Sequence, residues 1–562
     1  MIIKILEDKC NGCGWCPISC RMDLLHMDRK RKKAFFTNPE RCVTCFFCQR
    51  TCPQDAIIVG SEKPVPYPQP LIPSQLQGDI ATLSRGKVSH QETYDVIVVG
   101  AGVAGLTAAI AAATSGAKTI VLEKASNIAW TNTSLSGGSI SFAKEREMYL
   151  DAKRLSAEEK VQQAIELTKG RVNTELIRAW RLNIDGTLTW LKKLGLKAGT
   201  EGSVPVPSAA AFNARGCGAG LNKQLLSIAT KVGVKVVYDA RAVGMLTDKQ
   251  HKVVGLRAMT LKGLIDYVGH GVVLAAAGFQ ANREMVTKYI GADFAENVKL
   301  TGSPYSVGDG HRLAGEVGAK FVNMESFHCR QIDKSWVPGS QGHFGPRQLQ
   351  PLQHYGIFVN ILGKRFMDEY GPAVRSDTVS CTIIRQPEGA VAYLWDATVS
   401  AMMGKRLDNY RPEGVVFQAN TLEEIAKVIG CPLTELRKTV ETFNRAASEG
   451  KTANLDVPKS DFVYPLEKPP FTGIFPVWSG HNATFGGPAI NGNAEVLDEK
   501  DNPIPGLYAA GETAGGFFYG HYSTTPGGAT CYQGNYQVTS SALGYCVVFG
   551  QIAGANAVRK PS

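Results

Sequence analysis

Between Tyr94 and Lys124 the chain reads YDVIVVGAGVAGLTAAIAAATSGAKTIVLEK, and the spacing of its apolar positions changes twice within that stretch. Val96–Val99 is an uninterrupted β-branched run, the pattern of a strand buried on both faces in a parallel sheet. Glycines interrupt it, and from about Val103 a small-residue apolar run predicts a helix. A second strand is predicted over Lys118–Leu122, ending at Glu123. Strand, glycine turn, helix and strand together mark the start of an α/β domain. Ahead of it, residues 61–93 carry several prolines and little apolar periodicity, which predicts an extended linker laid over the surface. Residues 1–60 form a short, cysteine-dense unit.

No uninterrupted apolar stretch approaches the ~20 residues that span a bilayer. The longest, around Val96–Ala113, contains the glycine turn. Met1–Leu6 runs directly into Glu7-Asp8-Lys9-Cys10 with no signal-peptide pattern, so a cytoplasmic location is expected. With 562 residues the chain has room for about three or four structural units. Its 44% hydrophobic and 20% charged residues are ordinary for a globular enzyme, and its 59 glycines cluster in a few loops. The formal net charge of +11 suits an anionic substrate or an acidic electron-transfer partner as well as a plain basic protein. No nucleic-acid-binding signature accompanies it.

Gly100, Gly102 and Gly105 form G-x-G-x-x-G between the first strand and the helix. The first glycine permits the tight turn and the second lets backbone approach a pyrophosphate. The third allows helix and strand to pack closely. The helix N-terminus then favours a phosphate, and Glu123 is placed to bind ribose hydroxyls. This pattern by itself fits either NAD or FAD.

Eight of the 14 cysteines fall in two runs of C-x2-C-x2-C-x3-C: Cys10, Cys13, Cys16 and Cys20, then Cys42, Cys45, Cys48 and Cys52. This is the bacterial ferredoxin spacing, in which the fourth cysteine of each run serves the other cluster. Cys10, Cys13, Cys16 and Cys52 are therefore expected to hold one [4Fe–4S] cluster, and Cys42, Cys45, Cys48 and Cys20 the second. Structural zinc fits two even quartets poorly, and disulfides are not expected in a chain that shows no secretion signal. Pro53 follows Cys52 as the pattern expects, whereas Arg21 follows Cys20. Arg29-Lys30-Arg31-Lys32-Lys33, between the runs, reads as a solvated hairpin tip or a docking patch for an acidic carrier. The other six cysteines, Cys217, Cys329, Cys381, Cys431, Cys531 and Cys546, lack ligand spacing and read as packing residues.

The cysteine-rich segment from Cys10 through MDLLHMDRKRKKAFFTNPERCVTCFFCQRTCPQDAIIVG resembles the ferredoxin-like subunit of adenylylsulfate reductases. From Tyr94 onward the chain resembles the fumarate reductase and succinate dehydrogenase flavoprotein family. The resemblance rests on the 94–124 motif, TNTSLSGGSISFA (131–143), AAAGFQANREM (275–285), SVGDGHRLAGEVGA (306–319), YGIFVNILGKRFMDE (355–369) and IPGLYAAGETAGG (504–516). GGFFYGHY followed by PGGAT is similar to the tricarballylate dehydrogenase and ketosteroid dehydrogenase branches. The fold so implied is α/β: a Rossmann-type FAD-binding domain (94–323 and 480–562) with an inserted α+β cap (324–479), plus a small α+β ferredoxin domain (1–60).

The resemblance implies FAD in the dinucleotide site, in contact with Gly100, Gly102, Ala104, Gly105, Glu123, Lys124, Val243 and Asp309. Thr133, Ser134, Gly137 and Gly138 would lie near the diphosphate and ring, Glu512 at the ribityl chain, and Gly528, Ala529 and Thr530 at the pyrimidine end. Respiratory members carry a histidine for covalent attachment where this chain has Thr131, so non-covalent FAD is expected. The matching catalytic arginine is Arg375, with Asp368, Glu369 or Asp377 as relay partners. His328 resembles a substrate-side histidine. His481 stands one residue out of the family register, and Gly520-His521-Tyr522 replaces a segment bearing a second substrate arginine. A C4-dicarboxylate substrate is therefore doubtful, and Tyr519, His521 and Tyr522 are candidates to hydrogen-bond a ketone oxygen or to pack as aromatics.

The combined reading is an oxidoreductase acting on a CH–CH or C=C bond beside a carbonyl or carboxylate. Electrons would pass between an external protein carrier such as a ferredoxin or flavodoxin, two [4Fe–4S] clusters and FAD. Direction, substrate identity and oligomeric state stay open. An adenylylsulfate reductase-like enzyme and an electron-transfer subunit of a larger complex are the rival readings.

Overall fold

A computed structural model describes residues 2–42, 47–50, 52, 54, 56–60, 76, 80–141, 156–197, 211–213, 216–334, 354–369, 376–403, 416–521, 532–533 and 542–559. At the N-terminal end, strands Ile2–Ile5 and Ile57–Gly60 pair antiparallel, and Leu25–Asp28 pairs with Lys33–Phe36 in a hairpin. Short helices Trp15–Ser19 and Phe47–Arg50 lie between them. Gly12 has φ +74°, and a Cβ there would sit 2.3 Å from the Lys32 carbonyl oxygen, so only glycine lets this loop fold against the hairpin tip. Arg29, Lys30, Arg31 and Lys32 are exposed at that tip. Lys33 instead turns inward and donates to the Glu7 and Cys10 carbonyls, at 2.6 Å each.

The central sheet has six strands in the order 235–237, 119–122, 96–99, 271–274, 503–509, 495–497. All neighbours are parallel except the last pair. Val96–Val99 is buried at every position, as a strand covered on both faces must be. Helix Val103–Thr114 covers one face, and the C-terminal helix Ala542–Ala557 lies directly on it. Gly550 and Gly554 make that crossing possible. A Cβ at either would lie 2.5 Å or 2.0 Å from the Ala104 or Ala108 carbonyl oxygen.

A second sheet is an antiparallel meander of Ala240–Thr247, Val253–Thr260 and Gly263–Val268, extended by Val88–Thr93 parallel to the last strand. This corrects the expected linker over residues 61–93. Its last six residues are an edge strand paired along one side with the meander, and Ile80–Leu83 is helical. An edge strand exposed on most of its side chains leaves no apolar periodicity to read.

The cap is organised on one long strand, Phe471–Thr484. Along its length it pairs with Lys299–Leu300, Phe327–Asp333, Val391–Trp395 and Val416–Ala419, and Ile357–Asn360 adds beyond Val391–Trp395. This sheet runs past the cap boundaries expected at 324 and 479, because the strand continues unbroken to Thr484 and recruits Lys299–Leu300 from the flavin side. Helices Leu422–Ile429 and Leu433–Ser448 cover it with a core that includes Ile425, Leu436, Val440 and Phe443. No helix among the described residues is long and apolar enough to cross a membrane.

Candidate functional site

The dinucleotide cradle forms where the sheet's first strand meets its helix. A Cβ at Gly100 would meet the Ala275 carbonyl oxygen at 2.3 Å, and one at Gly105 would meet that of Gly100 at 1.9 Å. Both glycines are demanded by packing. Gly102 is different, since a Cβ there meets only Thr133 Oγ1, at 3.4 Å. Packing does not require a glycine at that position, whereas close approach of a pyrophosphate does. The residues therefore fit a bound dinucleotide. Ala104 is buried in the first turn of the helix, and Val103 N–H donates to Thr133 Oγ1 at 2.8 Å, which braces the helix N-terminus against the 131–138 segment.

Glu123 is buried at the tip of the second strand. Its two carboxylate oxygens accept from Ala101 N–H and Ala125 N–H, at 2.8 Å each. Burial pushes its carboxyl up from the ordinary range, opposed by those backbone donors. Each oxygen keeps a lone pair for a ribose hydroxyl. Beside it, Lys124 Nζ donates to Asp309 Oδ2 and to the Tyr305 carbonyl, both at 2.7 Å, and Arg241 Nη2 donates to Asp309 Oδ1 at 3.1 Å. Burial alone would raise the Asp309 carboxyl, but Lys124 and Arg241 outweigh it and hold it at about 2. Lys124 and Asp309 thus clamp the strand to helix Asp309–Glu316 at the edge of the cradle. Val243 is buried in the meander strand that also carries Arg241.

On the other side, Thr131 caps the short helix Asn132–Leu135, and its hydroxyl accepts from Ser134 N–H. Ser134 Oγ donates to the Ile128 carbonyl at 2.7 Å. The Gly137–Gly138 turn packs on the start of helix Cys217–Lys231, where a Cβ at Gly138 would lie 2.3 Å from the Cys217 carbonyl carbon. Two residues here escaped the sequence reading. Asn132 Nδ2 donates to Glu512 Oε1 and Oε2 at 2.9 and 2.8 Å, and Asn222 Nδ2 donates to the Ala101 carbonyl at 3.1 Å and to Thr131 Oγ1 at 3.0 Å. Asn132 lies inside the quoted TNTSLSGG motif, which was the available signal. Burial pushes Glu512 up to about 7, against the hydrogen bonds it receives from Asn132, Gln280 and Gly278. Near neutrality this carboxyl can therefore either donate or accept toward a ligand. Gly528, Ala529 and Thr530 lie outside the described residues.

Cys10, Cys16, Cys20, Cys42, Cys48 and Cys52 share one small core with Leu25, Ala34 and Ile57. Burial pushes the Cys16 thiol up to about 12, helped by the charges of Cys13, Cys52 and Cys10. Those are the partners that the crossed spacing assigns to one cluster, and thiols so crowded and buried ionise readily only when a metal neutralises them. Backbone donors already face the sulfurs: Leu24 N–H to Cys20, Ala56 N–H to Cys52 (3.3 Å each) and Ala34 N–H to Cys10 (3.5 Å). Cys45 lies outside the described residues. Cys52→Ser is expected to remove one cluster and leave the other, lowering bound iron by about half. An iron and acid-labile sulfide assay checks this, and unchanged iron would show that Cys52 is no ligand.

This domain is seated against the helix that lines the dinucleotide cradle. Lys223, on helix Cys217–Lys231, donates to the Cys20 carbonyl at 2.9 Å and pairs with Asp23. A Cβ at Gly216 would lie 2.6 Å from Ile18 Cγ2, so the contact is close.

On the cap side, His328 and His481 sit on the paired strands Phe327–Asp333 and Phe471–Thr484. His481 Nε2–H donates to the Ala483 carbonyl at 3.1 Å, and its ring stands edge-on to Phe294 and Phe327. Burial holds it at about 3, a neutral imidazole packed among aromatics. Tyr519 is buried under the Arg171 guanidinium, 5.3 Å from its ring centroid, and burial raises its phenol above the ordinary range. It keeps its proton and is a hydrogen-bond donor. Gly520–His521 pairs with Tyr532–Gln533. Arg375 and Tyr522 lie outside the described residues. Glu369 is fully buried and held by Arg365 Nη2 at 2.8 Å, Lys459 Nζ at 3.3 Å and Phe358 N–H at 3.0 Å. Asp368 accepts from Ser460 N–H at 3.2 Å. Both carboxylates thereby tie the cap's own segments together. Among the remaining cysteines, Cys217, Cys329, Cys381, Cys431 and Cys546 are buried, and Cys531 lies outside the described residues.

Comparison with known proteins agrees with this geometry. A family model described as an FAD binding domain matches residues 95–528, and one described as a 4Fe-4S dicluster domain matches residues 9–56. The chain is 34% identical over 295 residues to NADH:acrylate oxidoreductase of Vibrio harveyi, covering 51% of this chain and 28% of that protein. It is 27% identical over 493 residues to NADH:fumarate oxidoreductase of Klebsiella pneumoniae (strain 342), covering 86% of this chain and 49% of that protein. It thus spans about half or less of the length of these relatives. The structure is similar to the open conformation of a flavocytochrome c3 fumarate reductase, with a TM-score of 0.66 and 25% identity over 86% of this chain and 82% of that one. The chain belongs to the family described as an FAD binding domain, preceded by a 4Fe-4S dicluster domain, and its cofactors are FAD and 4Fe–4S clusters.

Proposed function

We propose that this protein reduces, or in reverse forms, a carbon–carbon double bond conjugated to one carboxylate or ketone, exchanging electrons with a one-electron protein carrier through its dicluster domain. The observation that carries this reading is the seating of the cysteine core on the flavin cradle, through Lys223 and Cys20, within a chain whose relatives are named for acrylate and fumarate. FAD, held without a covalent bond because Thr131 offers no imidazole, supplies hydride transfer and divides an electron pair into single electrons. The protein's own contribution is charge and orientation. The cation the family resemblance assigns to a carboxylate or developing enolate is Arg375, and Tyr519, kept protonated by burial, is a candidate hydrogen-bond donor. The 520–522 segment brings no second arginine, which favours a substrate with one anionic or carbonyl group over a dicarboxylate.

The test is anaerobic. The holoprotein is reduced fully and mixed with acrylate, fumarate, a cyclic enone and a quinone, while flavin and cluster absorbance are followed. Reoxidation by acrylate or the enone at least tenfold faster than by fumarate is expected. Reoxidation by the quinone alone would overturn the reading and favour an electron-transfer subunit.

A further inference from the structure

Arg21 is 2% exposed, and its Nε, Nη1 and Nη2 all lack a hydrogen-bond partner. A guanidinium does not shed its proton in a protein, so this is a permanent buried charge. Buried charges persist only where an opposite charge compensates them. The carboxylate nearest in sequence, Asp23, is turned to solvent and taken by Lys223. What Arg21 does contact is the face of Trp130, with Cζ 5.0 Å from the ring centroid. Trp130 directly precedes the Thr131–Gly138 segment that braces the flavin cradle. Met22 packs into the same seam against Ala125, Ala129, Trp130 and Tyr305. Arg21 is therefore fixed between two halves of the molecule, and it is bonded in sequence to Cys20, whose carbonyl meets the flavin domain through Lys223. The ferredoxin-type spacing has proline at the equivalent place in the other run, Pro53, which carries no charge.

We propose that Arg21 is the counter-charge of the iron–sulfur cluster that Cys20 ligates, and that it raises that cluster's reduction potential. This rests on the dicluster assignment alone and not on the choice of substrate. A thiolate-held cluster is anionic, and the electron it accepts adds one more negative charge with no proton required. A buried cation on the residue next to its ligand Cys20 stabilises the reduced form more than the oxidised one, because the attraction scales with cluster charge in a medium of low dielectric. The stacking of Arg21 on Trp130 holds the guanidinium in place, so Arg21 is a tuning residue rather than a group that carries the electron.

An anaerobic redox titration of the holoprotein, read by electron paramagnetic resonance, tests this with Arg21→Met, Arg21→Gln and Arg21→Lys. In Arg21→Met and Arg21→Gln one of two cluster potentials is expected to fall by at least a tenfold change in its one-electron equilibrium, ~59 mV. The other potential stays where it is, and Arg21→Lys keeps most of the wild-type value. If the uncharged variants lose one cluster outright, with iron falling by half and Arg21→Lys restoring it, the counter-charge role is equally supported. Potentials that do not move, potentials that move together, or iron loss that Arg21→Lys fails to restore would overturn it and leave Arg21 a packing residue. Wild-type protein lacking two four-iron signals would instead defeat the dicluster assignment itself, so the two failures are distinguishable.

Discussion

Replacing Glu369 by glutamine is expected to destabilise the cap by ~3–5 kcal/mol, the usual consequence of stranding buried charges. The wild-type carboxylate has no exposure and is shared by Arg365 and Lys459, themselves 6% and 0% exposed at the side chain. Arg365 also donates to the Val457 and Met367 carbonyls, and Lys459 to those of His354 and Gly356. The ion cluster thus gathers three separate cap segments. Burial by itself would raise the Glu369 carboxyl, but Lys459 and Arg365 bring it below its ordinary value of 4.5. Its stabilisation is fully present above that value and disappears as pH falls through the lower folded value. The difference between wild type and Glu369→Gln is therefore largest near pH 7 and shrinks in acid. Lys459, already held below the ordinary ammonium range by burial, sheds its proton more readily in the variant and recovers part of the loss as pH rises. Thermal unfolding at pH 7 checks the magnitude, with a drop in Tm on the order of 10 °C expected. A change under ~2 °C would mean that other groups compensate the two cations.

Gly105→Ala is expected to abolish FAD retention. The new methyl would sit 1.9 Å from the Gly100 carbonyl oxygen and 3.4 Å from Ala275 Cβ. The obstructing atom is backbone, on the turn that must approach the pyrophosphate, so relief requires the helix to lift from the strand and the phosphate site to open. The helix cannot lift freely, because Ala542–Ala557 lies across it with Gly550 and Gly554 already in backbone contact. Purified Gly105→Ala should carry less than a tenth of the wild-type flavin, read by absorbance after denaturation. By contrast, Gly102→Ala meets only Thr133 Oγ1 and should fold normally while binding FAD more weakly. Full flavin content in Gly105→Ala would show that the turn relaxes without consequence.

Much of the local chemistry was legible before any coordinates. The G-x-G-x-x-G turn, Glu123 at the end of the second strand and the two cysteine runs are contiguous signals whose spacing follows from backbone geometry. A tight turn needs Gly100, and a cubane cluster needs closely spaced thiolates. What escaped were the pairings between residues far apart in sequence. Lys124 meets Asp309, Asn132 meets Glu512, and Lys459 meets Glu369, each across a gap in sequence that no periodicity encodes. The strand Val88–Thr93 escaped for a related reason. An edge strand shows its side chains to water and is defined by the backbone partner it finds.

The sequence by itself determined that this protein binds a dinucleotide at a strand–helix turn and holds two clusters of cysteines, because both depend on short, local stretches of chain. Only the tertiary structure decided how the two are joined. It seats the cysteine core on helix Cys217–Lys231, buries Arg21 against Trp130 and runs one strand from the cap into the flavin side. Those arrangements turn on burial and on which surfaces exclude water together, which are properties of the packed chain and not of any segment of it.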